Sequence, residues 1–169
     1  MIRVVVDDLA FLEVDAVLRP ANHALEPIST AANLLDRMAG DEFAGQRRVS
    51  APLEVGSAVV TAAGELAAPY VLHLVIGDAE TNPDRHTIER ALTSAWHRAA
   101  EWQLARIATP LIGAGAGQLD PEQAAGLLRA TLEARTRRDY PVEVQLVVDH
   151  QTDRDLLSAL LATGEGESS

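Results

Sequence analysis

The chain has 169 residues, 47% of them hydrophobic and 23% charged, and its formal net charge is −11. This balance is typical of one globular domain and excludes an intrinsically disordered chain, while the absence of cysteine excludes disulfides and thiolate chemistry. All 14 basic residues are arginine, which excludes a lysine phosphate loop or Schiff base, and the acidic field disfavours binding to duplex nucleic acid.

Location and accessory groups are predicted from what the sequence lacks. No apolar run approaches the roughly 20 residues of a membrane-spanning helix. The first segment turns acidic within seven residues and has no signal-peptide core. The five histidines show no metal-ligand spacing. We therefore expect a cytoplasmic protein with no membrane partner, no metal and no cofactor.

The predicted elements alternate between strands and helices. β-branched runs indicate strands, with Pro20 expected to stop the second, and capping residues such as Ser29 and Asp120 mark helix starts. In chain order we expect strands at 2–6 and 15–19, a helix at 29–38, a loop at 41–52, strands at 58–61 and 70–76, a helix at 86–104, a strand at 107–112, a helix at 120–135, a strand at 142–148 and a helix at 152–161.

Strands separated by helices of this length predict a sheet with helices on both faces. The sequence has no internal repeat and no linker that would divide it. We therefore expect one α/β domain over 1–163, followed by a disordered tail over 164–169. His73 lies within an apolar run, so we expect it to be an interior side chain with satisfied hydrogen bonds.

The segment Gly113–Gly117 is the most informative stretch. A buried-looking strand leads into Gly-Ala-Gly-Ala-Gly, and a capped helix follows at Asp120. Glycines let the backbone approach a ligand closely and point N–H groups at phosphate oxygens, and the helix N-terminus favours negative charge. A tight turn in which glycine only relieves crowding explains the same pattern, so both interpretations remain open.

Several segments together resemble the macrodomain family, the α/β/α module that binds ADP-ribose. They are Asp8-Leu9, the strand end at 15–22, the stretch at 56–66 continuing to 70–73, and the strand and glycine loop at 109–119. They occur in the family's order and spacing and cover the chain to about residue 161. The resemblance implies a three-layer α/β/α sandwich with a central mixed, mostly parallel sheet of about six strands.

The resemblance also implies which residues bind a ligand. Asp8 matches the aspartate that accepts a hydrogen bond from the adenine amino group, with Leu9 beside it, and Asn22 matches the asparagine facing the distal ribose. The phosphate-binding set would be Ser29 and Thr30 at a helix start together with Gly113, Ala114, Gly115, Ala116 and Gly117. From the residues alone, Asp8 is also explained as a solvated carboxylate and Asn22 as a turn former.

This sequence departs from the family where chemistry would occur. Arg19 and Pro20 replace an asparagine and an alanine of the strand-end motif. The first ligand loop contains no glycine, and its glycine positions match Ile28, Thr30 and Asn33. The aspartate with which hydrolytic members activate water matches Ala32, which cannot accept a proton. We therefore predict no catalytic residue.

Three functions remain open. The first, which the sequence favours, is a divergent macrodomain that binds ADP-ribose or a related adenine nucleotide without strong hydrolase activity. The second is a scaffold that has lost this ligand and serves as a homodimer or partner-interaction module. The third is a hydrolase of ADP-ribosyl groups or of O-acetyl-ADP-ribose.

Overall fold

The computed structural model describes residues 1–78, 83–114 and 119–165. Strands and helices follow one another along the chain, with a short 3₁₀ helix at Leu9–Phe11. The elements are β1 (Ile2–Val6), β2 (Ala16–Asn22), α1 (Thr30–Ala39), α2 (Phe43–Gln46), β3 (Ala58–Ala62), β4 (Tyr70–Gly77), α3 (Arg85–Glu101), β5 (Arg106–Thr109), α4 (Pro121–Glu133), β6 (Glu143–Val148) and α5 (Gln151–Glu165).

The described strands form one six-stranded sheet in the order β1-β6-β5-β2-β4-β3. Every neighbouring pair is parallel except β3 and β4, which are antiparallel. Alternate side chains of a strand point to opposite faces. One face packs against α3, α4 and α5, and the other packs against the 3₁₀ helix, α1 and α2. The predicted three-layer sandwich with a mixed, mostly parallel sheet is confirmed.

The core on the α3 side is the larger of the two. Strand residues such as Leu18, Leu72 and Leu146 share this core with the apolar sides of α3, α4 and α5, and each is fully buried. Trp96 of α3 is also buried, and its Nε1 donates to Thr131 Oγ1 of α4 at 3.0 Å. This bond satisfies the one polar group of the indole, so the ring can pack within the core.

Pro20 does not stop β2 as predicted, because the strand continues to Asn22. Strand β5 pairs with β2 only at Ala16 and Val17, so that side of β2 is unpaired at Pro20. A residue without an amide proton is tolerated where no partner strand is present. On the other side, pairing with β4 continues through Pro20.

Other parts of the chain also differ from the predictions, including α3, which ends at Glu101 rather than at 104. The predicted loop at 41–52 contains the short helix α2. Strand β5 ends at Thr109, because Pro110 follows and cannot donate to a ladder. Helix α5 extends to Glu165, so the start of the tail predicted to be disordered is helical, and 166–169 lie outside the described residues. No helix in the described part of the chain is long and apolar enough to cross a membrane.

Candidate functional site

A cleft of about 1140 Å³ opens at the edge of the sheet where β1, β2, β5 and β6 end. In open α/β sheets this edge is where ligands bind. The cleft brings together six of the predicted site residues, namely Asp8, Leu9, Ser29, Thr30, Gly113 and Ala114. Gly115, Ala116 and Gly117 lie outside the described residues.

Asp8 stands directly after β1 and is exposed within the cleft. It caps the 3₁₀ helix, since its Oδ1 accepts the amide of Ala10 at 3.0 Å, while its own amide donates to Asp7 Oδ1 at 2.8 Å. The cap holds the carboxylate in place without burying it. An exposed acceptor in a fixed position is suited to an amino group of a ligand.

The N-terminus of α1 forms a second part of the cleft. Ser29 caps the helix, with its Oγ accepting the amide of Ala32 at 3.0 Å. Within the described part of the chain, the amides of Thr30 and Ala31 have no hydrogen-bond acceptor, and both residues line the cleft. Free amides at a helix N-terminus carry partial positive charge and favour an anion.

The segment at 23–33, which matches the first ligand loop of the family, adds an apolar wall to the cleft. Ile28 lines the cleft and packs on the core of the α3 side. The cleft volume of about 1140 Å³ is measured with the Ile28 side chain in place, so Ile28 does not fill the cleft. Asn33 lines it as well, and its Nδ2 donates to the Ser29 carbonyl at 3.0 Å.

Gly113 begins the glycine loop with a conformation that suits glycine. Its φ is +96°, and an added Cβ would lie 2.8 Å from Leu119 Cδ1 and 2.9 Å from Ile88 Cδ1. Its carbonyl accepts the amide of Leu119 at 3.2 Å, and the Ala114 amide donates to Leu111 at 3.2 Å. The first bond joins the described residues on either side of 115–118, and Gly113 lines the cleft.

Helix α4, which follows this loop, has fewer free amides at its N-terminus than α1, because Pro121 has no amide proton and only the Glu122 amide is without an acceptor among the described residues. Asp120 Oδ1 accepts the Gln123 amide at 2.8 Å, and Gln123 Oε1 accepts the Asp120 amide at 3.1 Å. This capping box satisfies the amides of Asp120 and Gln123. No described residue of α4 lines the cleft. Of the two helix starts considered from the sequence, the start of α1 is therefore the one at the cleft.

Asn22 is not among the described residues that line the cleft. Its Oδ1 accepts the amides of Ala24 at 2.9 Å and Glu26 at 3.0 Å. It thereby holds a turn in which Leu25 adopts a φ of +59°. The role of turn former is thus observed, and a contact between Asn22 and a ribose stays a prediction.

The charges around the cleft are mostly negative. Arg37 is the one cation among its described lining residues, and the carboxylates are Asp7, Asp8, Asp149 and Asp153. A bound anion would therefore depend on backbone amides and the α1 dipole rather than on basic side chains. Among the described residues no group of three or more histidines and carboxylates is arranged to hold a metal ion.

A buried polar cluster lies behind α1, and sequence reasoning missed it. Arg19 is completely buried, and its Nε and Nη2 each donate to one oxygen of Asp36 on α1 at 2.7 Å. Its Nη1 donates to the Leu25 carbonyl at 2.9 Å. Arg19 Cζ lies over the ring of Phe43 of α2, 5.8 Å from the ring centroid. The cluster ties β2 to the helix whose N-terminus lines the cleft.

His73 completes this cluster in its neutral form. Thr61 Oγ1 donates to the Ala62 carbonyl at 3.0 Å, so it accepts from His73 Nε2–H at 2.7 Å. Nδ1 is then unprotonated and accepts from Arg19 Nη1 at 3.1 Å. Burial, followed by the charges of Arg19 and Arg47, lowers the pKa of His73 well below its usual 6.5. The prediction of a satisfied interior histidine is confirmed.

This neutral histidine predicts a loss of stability in mild acid. Because the folded pKa lies well below 6.5, the unfolded chain binds a proton that the folded chain does not, once the pH falls through 6.5. We expect His73 to cost about 1.4 kcal/mol of unfolding free energy between about pH 7.5 and pH 5.5. Urea unfolding at both pH values, compared with His73→Asn, measures this cost. Asparagine keeps an acceptor for Arg19 without titrating, so equal losses in the two proteins would contradict the prediction.

Comparison with family models matches residues 18–128 to the Macro domain. This match covers about two thirds of the chain. The protein therefore belongs to the macrodomain family. The resemblance predicted from the sequence is confirmed, and the family match includes β2, α1, the glycine loop and the start of α4.

Relatives in sequence are moderately similar. An uncharacterized protein of Aquifex aeolicus is 29% identical over 159 residues, covering 94% of each chain. An uncharacterized protein of Mycobacterium tuberculosis is 29% identical over 141 residues, covering 83% of this chain and 38% of that protein. This chain thus spans less than two fifths of the length of the mycobacterial relatives it matches.

Solved macrodomains share the fold at low sequence identity. The Oceanobacillus iheyensis macrodomain with ADP superposes with a TM-score of 0.81 at 16% identity, covering 97% of this chain and 91% of that one. The Trypanosoma brucei macrodomain in complex with ADP-ribose gives 0.78 at 17% identity, covering 95% and 68%. These likenesses establish the fold, whose structural neighbours bind ADP and ADP-ribose.

Proposed function

We propose that this macrodomain binds ADP-ribose or a related adenine nucleotide in the cleft at the carboxyl edge of the sheet. One observation carries the proposal. A single cleft holds a fixed exposed carboxylate at Asp8 and, along its walls, the free amides of α1 and the start of the glycine loop. Two structural neighbours described as complexes with ADP and with ADP-ribose support the ligand class.

The chemistry of the cleft suggests how the ligand would lie. Asp8 would accept the adenine amino group. The diphosphate would lie near Thr30 and Ala31, whose amides are free, and near the glycine loop that begins at Gly113. The acidic lining favours a ligand that offers hydrogen-bond donors as well as phosphates. The segment before and at the start of α1 lacks the glycines of the family's first ligand loop. This would lower affinity, because each hydrogen bond to the ligand that is lost costs about 0.5–1.5 kcal/mol.

We further propose that hydrolase activity is weak. The residue at the position of the family's water-activating aspartate is Ala32, which is 1% exposed and whose amide donates to Ser29 Oγ. A buried methyl group cannot remove a proton from water. Incubation with an ADP-ribosylated protein should therefore release ADP-ribose only slowly, at a rate close to that of the uncatalysed reaction.

Calorimetric titration with ADP-ribose tests the binding proposal. We expect Asp8→Ala to weaken binding at least about tenfold, since a hydrogen bond to a charged acceptor contributes about 1.5–3 kcal/mol. Asp8→Asn should weaken it similarly while keeping an acceptor for the Ala10 amide, which separates ligand binding from the 3₁₀ cap. Asp139→Ala removes the same charge at an exposed site outside the cleft and should leave affinity unchanged.

Two results would overturn the proposal. If neither heat nor a thermal shift appears with ADP-ribose, ADP or AMP, the second function, a scaffold without a nucleotide, becomes the better account. If Asp8→Ala binds as tightly as the parent protein, the ligand does not use this carboxylate. Rapid release of ADP-ribose from a modified protein would instead favour the hydrolase.

A further inference from the structure

A second groove, away from the cleft, runs along the outer edge of the sheet. It has a volume of about 670 Å³ and is lined by every residue from Met1 to Val6, by α5 and by the C-terminal part of α4. Successive residues of a strand point to opposite faces, so a groove lined by six in a row follows the strand's edge rather than one face. We call it the edge groove.

The strand that forms the edge groove has unused backbone hydrogen-bonding groups. β1 pairs with β6, and no other described strand lies beside it. The Val144 amide donates to the Met1 carbonyl at 2.8 Å. The backbone N–H and C=O groups of Met1 and of alternate residues after it therefore point towards β6. Ile2 and Val4 therefore turn their N–H and C=O groups outward into the groove. Such an edge can accept an additional strand.

The edge groove is basic, although the protein as a whole is acidic. Its lining includes Arg3, Arg129, Arg135 and Arg154, and Glu133 is the one carboxylate among the described residues there. The sequence has a net charge of −11, so this concentration of arginine is a local exception. A ligand with negative charge would be attracted here and repelled by most of the remaining surface.

Arg135 is the least compensated of these cations. Its Nη1 donates to the Leu132 carbonyl at 2.7 Å and its Nη2 to the carbonyls of Arg138 at 3.3 Å and Pro141 at 3.5 Å, but no carboxylate within the described ranges pairs with it. Its Nε is buried without a partner. Arg154 pairs with the neighbouring Asp155 at 3.5 Å and Arg3 pairs with Glu143 at 3.3 Å, while the side chains of Arg154 and Arg3 stay 47% and 60% exposed. These two exposed cations can therefore also contact carboxylates of a partner.

We propose that the edge groove binds an extended acidic segment of a partner protein, which adds a strand to β1. The outward groups of β1 supply the main-chain hydrogen bonds, and the arginines select acidic side chains. A second copy of this chain is disfavoured, because pairing β1 with β1 would bring two sets of arginines together. The proposal concerns a different surface from the cleft and does not depend on nucleotide binding.

Fluorescence anisotropy with a labelled eight-residue peptide of alternating valine and glutamate tests this. We expect binding that weakens with salt, and no binding for a peptide in which lysine replaces glutamate. N-methylation of alternate amides should abolish binding, because it removes strand pairing and keeps the charge. Together, Arg3→Gln and Arg154→Gln should weaken binding about fivefold.

The matched control replaces Arg48 and Arg85 with glutamine. Both residues are exposed and line neither the edge groove nor the cleft. Their replacement changes the net charge by the same amount as the Arg3→Gln/Arg154→Gln variant. This variant should bind the peptide as the parent does. Equal binding of the N-methylated peptide, or displacement of the peptide by an oligothymidylate of equal charge, would overturn strand addition. A dimer in light scattering that the Arg3→Gln/Arg154→Gln variant dissociates would assign the edge to a second copy instead.

Discussion

Replacing Asp36 with alanine is expected to lower the free energy of unfolding by about 3–5 kcal/mol, because Arg19 would keep its charge in the core without a carboxylate. Arg19 is completely buried, and both oxygens of Asp36 accept its N–H groups at 2.7 Å. Burial lowers the pKa of Arg19, and the bond to Asp36 opposes this effect. Urea unfolding near neutral pH measures the loss.

The partner variant should behave differently. Arg19→Met removes the charge from the core and leaves Asp36 15% exposed, with Arg47 Nε 3.7 Å from its Oδ2. We therefore expect a smaller loss than for Asp36→Ala, and Arg19→Met combined with Asp36→Leu should regain much of the stability. Glu101→Ala, which breaks an exposed pair with Arg98, should change stability by less than about 1 kcal/mol. If Asp36→Ala also lowered the free energy of unfolding by less than about 1 kcal/mol, Asp36 would not be needed to compensate the buried charge of Arg19.

Replacing Gly113 with alanine is expected to cost about 1–3 kcal/mol of stability and to weaken ADP-ribose binding. Its φ of +96° is strained for an alanine, and the added Cβ would lie under 3.0 Å from Leu119 Cδ1 and Ile88 Cδ1. The side-chain ends of Leu119 and Ile88 can shift to relieve these contacts, but the strained φ remains and would alter the backbone of Gly113 at the cleft wall. Urea unfolding and calorimetric titration measure the two effects.

The control for this variant is Gly126→Ala. Gly126 lies inside α4, and an added Cβ there has no atom within 4 Å. Alanine should therefore stabilise the helix by about 0.5–1 kcal/mol. If Gly113→Ala also stabilises the protein and binds the nucleotide normally, the glycine is not needed for the shape of the loop.

The sequence predicted the fold well, because the strands and helices have clear periodicity and caps. The cap at Ser29 and the capping residue Asp120 were read correctly from local signals, and both are observed. The errors came from tertiary context. Pro20 is a strand breaker in general, but in this sheet the adjacent strand β5 ends before reaching it.

The cleft was predicted in part. Asp8 and Gly113 meet there because the carboxyl ends of parallel strands lie together, which the order of motifs implied. The position of Asn22 could not be foreseen, since its contact with the Ala24 and Glu26 amides depends on the shape of the following turn. Ile28, which matches a glycine position of the family, lines the cleft and also packs against the core.

The buried cluster had one signal that sequence reasoning did not use. Arg19 interrupts a strand whose neighbours are all apolar, and an arginine in such a strand needs a buried carboxylate. Asp36 lies on α1, the next helix along the chain, so only the packing of α1 on the sheet identifies it as the partner of Arg19. The edge groove likewise joins arginines from β1, α4 and α5, which are far apart in the chain.

Helix α1 faces the cleft with Thr30 and Ala31 and holds Arg19 through Asp36 on another side. A nucleotide bound as proposed would therefore meet a wall that is already fixed by a charge pair within the protein. Little conformational entropy would have to be lost there on binding, so this wall would be preorganised for the proposed ligand. Affinity at the cleft would then depend on residues that the ligand does not touch.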